Sequence, residues 1–233
     1  MSNLLYMDIV SDIEEKISKG VLKDGNKLPS ERELSIQFKV SRTVVREAIN
    51  VLREKGYVDV QMGRGAFITK PNGTIVTDSL QRVINSTNSK MTDILEVREE
   101  LELAIIKKAV SKATKSNIDS LKKIFAKMEM KKFNINEFIE EDTNFHMELA
   151  KTTQNNIFYV LTSSFLDLTD KALFQVTKYT PFSVHEAQKQ HWDIIQAIEM
   201  RDEVLAVKTI LNHTQMIRDE IKMLQDQKVF LDE

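Results

Sequence analysis

The chain has four histidines, His146, His185, His191 and His213, and no cysteine. Any nitrogen-ligand or imidazole chemistry therefore rests on these four. Asp142 and His146 stand at i, i+4, which puts both on one face of a helix. His191 lies about nine residues before a break near position 201, a rise of ~14 Å, and His213 about twelve residues after it, a return of ~18 Å. If those two segments form an antiparallel hairpin, His191 and His213 come to a similar height. One carboxylate and three imidazoles from three helices then converge. Oxygen plus imidazole donors suit Zn, Ni, Co or Mn, and the donor set alone does not choose among them. A plainer reading stands beside this one, in which each histidine is a satisfied, partly buried or surface side chain. The spacing leaves both open. The aromatics that recur at helical spacing around these positions, among them Phe138, Phe145 and Phe158, read as core.

A second group of residues suits a different chemistry. At about 100° per residue, Val44, Val45, Ala48, Ile49, Val51 and Leu52 share one half of a helical wheel over 42–55. Arg42, Thr43, Arg46, Asn50 and Arg53 share the other. Arginine can bond guanine bidentately, asparagine can do the same to adenine, and the threonine methyl can touch a thymine methyl. Taken alone, the segment reads as a solvated amphipathic helix. Its neighbours change that reading. Ser30 can cap a short helix, ERELSIQF, and Lys39-Val40 then turns the chain to a second cap, Ser41. After Gly56, the runs YVDVQ and AFITK flank Met62-Gly63-Arg64-Gly65, a hairpin signal. Gly63 would let the backbone approach a groove closely, and Arg64 sits at the tip. The order of elements is that of a helix-turn-helix with a wing.

The elements that must position these groups divide unevenly along the chain. Five of the six glycines lie within 20–65, and after Gly73 there is no glycine and only one proline, Pro181. Turns and strands belong to the first third. It opens with an amphipathic stretch, 5–19, in which Ile9, Ile13 and Ile17 recur every four residues. The remainder reads as helices near 76–87, 90–114, 116–132, 134–152, 154–178, 183–200 and 202–226. The expected fold is mostly α: an N-terminal winged helix-turn-helix (1–71), a linker (72–78) and an antiparallel bundle of about six or seven helices (79–228). Hydrophobic residues make up 42% and charged residues 29% of the 233, ordinary for a globular protein able to bury a core. The net charge of −2 does not mark a nucleic-acid binder, although residues 1–70 carry 12 Lys/Arg against 10 Asp/Glu. The absence of cysteine excludes disulfides and thiolate metal sites. No stretch approaches the ~20 apolar residues of a membrane helix, and the start lacks a signal-peptide core, so the expectation is a cytoplasmic protein without membrane partners.

The string KLPSEREL…VSRTVVREAINVLREKGYV…GRGAFI resembles the signature of the GntR family of bacterial transcription regulators over about 27–69. The resemblance implies DNA contacts from Arg32, from Arg42, Thr43 and Arg46, and from the wing glycine, Gly63. Some members carry a histidine where this chain has Met62. FIEEDTNFHMELAKTTQNN followed by QHWDIIQAIEMRDEVLAVKTILNHT resembles the all-helical (FCD-type) ligand-binding domain of the FadR-type branch. It implies metal ligands at Asp142, His146, His191 and His213, with zinc favoured and nickel or manganese as alternatives. It also implies effector contacts from Arg98 and Asn155. Arg98 has an alternative role as an i, i+4 ion pair with Glu102 on an exposed helix. His185 falls outside the pattern and is expected on the surface or at the mouth of a pocket.

The function expected from these readings is a ligand-responsive repressor that binds near-palindromic double-stranded operator DNA as a homodimer. Its effector is expected to be a small organic, sugar or amino acid held beside a divalent metal. The competing expectation is a metal-dependent hydrolase, because open Asp/His sites also activate water. No HExxH or other general-base motif accompanies the ligands.

Overall fold

The computed structural model describes residues 2–69 and 73–227. The chain divides into two compact units, Met1–Ile75 and Val76–Glu233.

The first unit contains α1 (Ser2–Ser18), α2 (Glu31–Phe38), α3 (Arg42–Glu54), β1 (Val58–Gln61) and β2 (Gly65–Ile68). Ser30 starts α2 with a full capping box, its hydroxyl accepting from the Glu33 amide while the Glu33 carboxylate takes the Ser30 amide. Lys39 ends α2 in the left-handed conformation, and Ser41 caps α3. Both α1 and α2 pack on α3. The apolar half of α3 supplies Val45, Ala48, Ile49 and Leu52 to a core completed by Ile9, Val10, Ile13, Leu34, Val58 and Ile68. The strands pair antiparallel, Val58 opposite Ile68 and Gln61 opposite Gly65. Gly56 closes α3 at φ +72°, and a Cβ there would lie 1.6 Å from Ile75 Cδ1. Backbone conformation and close packing both demand glycine at this position.

Helix α4 (Gly73–Thr87) crosses the division between the units. The expected linker, 72–78, differs from this: residues 73–78 are helical, and 72 lies outside the described residues. Gly73 is tolerated at the first position of a helix, where its cost is small, so a glycine signal was misread as irregular chain.

The second unit continues with α5 (Met91–Lys112), α6 (Lys115–Lys131), α7 (Ile135–Thr152), α8 (Asn156–Tyr179), α9 (Pro181–Met200) and α10 (Glu203–Asp226). Side-chain caps start the helices, and the non-glycine residues Asn88, Gln154 and Arg201 take the left-handed conformation between them. Thr114, Asn134, Asn155 and Asp202 accept from the first-turn amides of α6, α7, α8 and α10. Helix α9 begins at Pro181 rather than near Ser183, because proline at the first helical position lacks only an amide that has no partner there anyway. Arg201, left-handed at φ 58°, ends α9, and its guanidinium donates to the Val110 and Ala113 carbonyls at the end of α5. Helix α7 packs on α6 and α8, and α10 on α5 and α9. Ile106, Leu121, Phe145, Ile194, Ile198 and Ile210 lie at the centre of the core. Among the described residues, no helix is long and apolar enough to cross a membrane.

Candidate functional site

On the first unit, the polar half of α3 faces solvent. Arg42, Thr43, Arg46 and Asn50 are exposed along it, and Arg32 is exposed in the first turn of α2. Arg46 is not free: its Nε and Nη2 donate to the two carboxylate oxygens of Glu31 at 3.0 and 2.7 Å. The Arg46 hydrogen bond holds the Glu31 carboxyl below its ordinary value, and the charges of Arg46 and Arg42 act the same way against a small opposing effect of burial. This bidentate pair orients the guanidinium at the start of the helix that a groove would receive. The β1–β2 turn carries Met62, Gly63 and Arg64, all exposed, with Gly63 at φ +72° and no atom within 4 Å of where its Cβ would be. The Arg64 guanidinium lies 5.7 Å from the Phe67 ring, and Lys27 stands 5.9 Å from the same ring.

Inside the second unit, His146 from α7, His191 from α9 and His213 from α10 come together. One ligating atom from each lies within 4.8 Å of the others, and all three residues are buried. Ring centroids are 4.7 Å apart for His191 and His213 and 5.4 Å apart for His146 and His213. Asp142 joins them, its Oδ1 3.3 Å from His191 Nε2 and its Oδ2 3.9 Å from His146 Nε2.

The outer face of each ring is held by an oxygen. His213 Nδ1 is 3.0 Å from Gln190 Oε1, His191 Nδ1 is 3.3 Å from Gln188 Oε1, and His146 Nδ1 is 3.5 Å from Glu102 Oε1. The glutamine orientations are set independently. Gln188 Nε2 donates to Glu129, and Gln190 Nε2 reaches Glu186. Their carbonyl oxygens must therefore face the rings, which puts the proton on Nδ1 and leaves the Nε2 lone pair pointing inward. The three Nε2 atoms are buried and have no hydrogen-bond partner. Burial, reinforced by the neighbouring positive groups, pushes His213 down to about 3 and His191 well below the ordinary histidine value. Burial also raises Asp142, against the opposing influence of His146 and Arg98.

Three imidazoles aimed at one point beside a carboxyl group make a donor set suited to a divalent transition metal. Outer-shell acceptors on Nδ1 are the arrangement that such ligands need. Buried polar atoms without partners are rare, and three of them lie in this one cluster.

Arg98 and Glu102 lie beneath this cluster on α5. Their ion pair is present, but buried rather than exposed: Arg98 Nε donates to Glu102 Oε1 at 2.7 Å, and the two residues are 4% and 5% exposed. Arg98 Nη1 donates to Thr169 Oγ1, leaving only Nη2 without a partner. A bidentate clasp on an effector carboxylate is therefore not available to Arg98 as it stands. Burial opposes ionisation of Glu102, but His146, Arg98 and His213 together bring it to about 2. Asn155 is not brought to the site. It is exposed and serves as the N-cap of α8, accepting from the Ile157 amide. A threonine-rich turn before a helix explains that asparagine by capping alone. His185 is exposed and lines a separate cleft with Lys132, Phe133 and Lys178.

Sequence reasoning missed Gln188, Gln190 and Glu31 as partners, and it paired Glu102 with Arg98 but not with His146. Gln188 was within reach, since it stands at i−3 from His191 on the same helix.

Residues 5–68 match the family model described as "Bacterial regulatory proteins, gntR family", and residues 93–216 match the "FCD domain" model. The chain is 27% identical to the Uxu operon regulator of Haemophilus influenzae, over 96% of this chain and 84% of that protein. It is 29% identical to the HTH-type transcriptional repressor NanR of Escherichia coli, over 88% of this chain and 80% of that protein. Among solved structures, Streptococcus agalactiae GntR has a TM-score of 0.69 at 24% identity, covering 92% of this chain and 99% of that one, which shows a shared fold.

Proposed function

The chain belongs to the GntR family of bacterial regulatory proteins and carries an FCD domain; on that premise we propose a metal-dependent effector site at Asp142, His146, His191 and His213. It is a ligand-responsive DNA-binding transcription regulator and not an enzyme. The hydrolase expectation finds no support, since the family models and the relatives are regulators.

In this proposal, two copies of the chain bind a near-palindromic operator, each placing α3 in a major groove with the wing alongside. Arg42, Thr43, Arg46 and Asn50 face the bases and phosphates, Arg32 reaches the backbone, and Gly63 and Arg64 contact the neighbouring groove. The observation that carries the effector half is the set of three buried Nε2 atoms with no partner. A zinc ion, or nickel or manganese, bound there would supply a Lewis-acidic point for a ligand carboxylate. His146, His191 and His213 would hold it, and Asp142 would contribute the anionic oxygen. Gln188, Gln190 and Glu102 keep the rings in the required tautomer, and Arg98 Nη2 remains as one further donor. Effector binding changes DNA affinity only to the extent that the ligand distinguishes the DNA-competent state from the other. The proposed sign is repression, in line with the NanR relative's name as a transcriptional repressor, and the effector is proposed to relieve it.

Elemental analysis of untagged protein purified without chelator tests the site, alongside His146→Ala and His213→Ala. About one metal per chain, lost in both variants, is the expected result. A metal-free parent that zinc, nickel and manganese all fail to stabilise would overturn it. Operator affinity of Arg42→Ala/Arg46→Ala tests the other half, and specific binding retained by that variant would remove α3 from the assignment.

A further inference from the structure

A cavity opens on the histidine cluster and runs along α10. Asp142 and His213 line one end of it, and Thr177, Ser183 and Glu220 line the other. The wall between is apolar, with Phe138, Leu173, Val176, Ala187 and Ile217. The polar groups at the far end are not equivalent. The Thr177 hydroxyl donates to the Leu173 carbonyl, and the Ser183 hydroxyl donates to Glu220 Oε1. Glu220 Oε2 is buried and has no partner. Burial raises the Glu220 carboxyl, and neighbouring Asp219 adds to this against the Ser183 hydrogen bond.

A buried carboxyl oxygen without a donor is costly, and a donor brought by a ligand removes that cost. His213 and Glu220 are seven residues apart on α10, which places them two turns apart on one face, a separation of ~10 Å. Metal ligation at one end and a hydrogen bond at the other take up part of that span. Roughly 5–6 Å is left for the ligand, a chain of about four to six carbons. The wall offers no partners for hydroxyls along the middle of that chain.

We propose that Glu220 is a specificity-determining residue of the effector site, and that the effector is a short carboxylic acid with an apolar middle and a hydrogen-bond donor, hydroxyl or ammonium, at the end opposite its carboxylate. The inference rests on the metal-site reading above, which supplies the carboxylate end. The cavity itself is about 30 Å³, room for about two or three waters and too small for such an acid. The ligand therefore enters by parting the wall. The movable part is the first turn of α9, whose N-cap Thr180 makes no side-chain capping bond. Ser183 in that turn ties it to α10 through Glu220.

The test uses the full chain loaded with zinc, with zinc content measured in each sample. Calorimetric titrations compare pentanoate, 5-hydroxypentanoate and 5-aminopentanoate, with their four- and six-carbon homologues. At least one donor-tipped acid should bind about tenfold or more tightly than the plain acid of the same length. Glu220→Leu should bring that ratio to about one; Glu220→Gln, which keeps the shape, checks that folding is not the cause. Equal binding of plain and donor-tipped acids by zinc-loaded parent overturns the role of Glu220 alone. So does a ratio that survives in Glu220→Leu, or failure of every acid to bind the zinc-loaded protein. Absence of zinc, or acid binding undiminished in His213→Ala, overturns the metal-site reading and this inference together.

Discussion

Replacing Arg98 by methionine removes the cation from a buried pair and leaves Glu102 behind. Glu102 is 5% exposed, and its remaining neighbour of opposite tendency is His146 Nδ1 at 3.5 Å. Breaking a buried pair by deleting one partner costs about 3–5 kcal/mol, because the surviving charge stays desolvated. Deleting both partners in favour of apolar side chains is near neutral by the same reasoning, so Arg98→Met/Glu102→Met should recover most of the loss. The chain offers a convenient reporter. Trp192 is its only tryptophan; it sits in α9 and packs 5.2 Å from the Phe125 ring, so its fluorescence follows the second unit alone. With a urea dependence of about 2 kcal/mol per molar, the single variant should lower the unfolding midpoint of chelator-treated protein by roughly 1.5–2.5 M. A loss under about 1 kcal/mol for Arg98→Met, or a double variant as unstable as the sum of the singles, would refute the claim that the pair acts as a unit.

Three other expectations follow from the same geometry. Chelator-treated protein should lose stability as pH falls below 6.5. His213 sits at about 3 when folded against 6.5 otherwise, and His191 also lies well below it, so the unfolded chain binds more protons throughout that window. The slope approaches about 1.4 kcal/mol per pH unit for each histidine, partly offset by Asp142, whose raised carboxyl takes a proton as pH falls; a urea midpoint equal at pH 7.5 and about 5.5 would contradict it. Glu31→Gln should free Arg46 to meet any phosphate, raising affinity for random-sequence DNA and lowering the ratio of operator to random binding; anisotropy titrations showing an unchanged ratio would dismiss the Glu31 pair as incidental. Gly56→Ala should lower the thermal midpoint of the first unit through its positive φ and its collision with Ile75, and Ile75→Ala should relieve only the collision. Gly63→Ala, with open space around it, should cost only the backbone share while weakening DNA binding, so equal melting losses in the two variants would argue against this account.

Much of the architecture was legible because its signals are local. The two halves of α3 follow from a helical period. The hairpin follows from Gly63 and Gly65, and the change from strands to helices follows from where glycine stops. The boundaries that moved did so for local reasons too, with Pro181 starting α9 two residues early and Gly73 entering a helix. The pairings that finish the sites were not legible, because they join residues far apart in the chain. Glu102 and His146 are on different helices, and so are Glu31 and Arg46.

One non-local property was nevertheless written in the sequence. On α5 the buried positions are Ile94, Leu95, Arg98, Glu102, Ile105, Ile106, Ala109 and Val110. Arg98 and Glu102 occupy the core stripe at the places where an apolar residue is due. On α7, Asp142 and His146 do the same between Ile139 and Leu149, and on α10, His213 does so between Ile210 and Ile217. A charged or imidazole side chain at a core position costs stability unless something pays for it. Polar residues that interrupt an apolar stripe are therefore the ones for which a partner must be sought. By that criterion Arg98 belongs indoors, although its i, i+4 spacing to Glu102 equally fits a surface pair. Asn155, which precedes a helix and interrupts no stripe, belongs to a cap. Glu220 lies at the edge of the α10 stripe, next to buried Ile221 and one turn beyond Ile217, and its inner oxygen has no partner within the chain. All five of these interruptions, Arg98, Glu102, Asp142, His146 and His213, belong to the histidine centre directly or through one contact. Glu220 extends the same pattern to the far end of the cavity, which is why the search for a missing donor leads there.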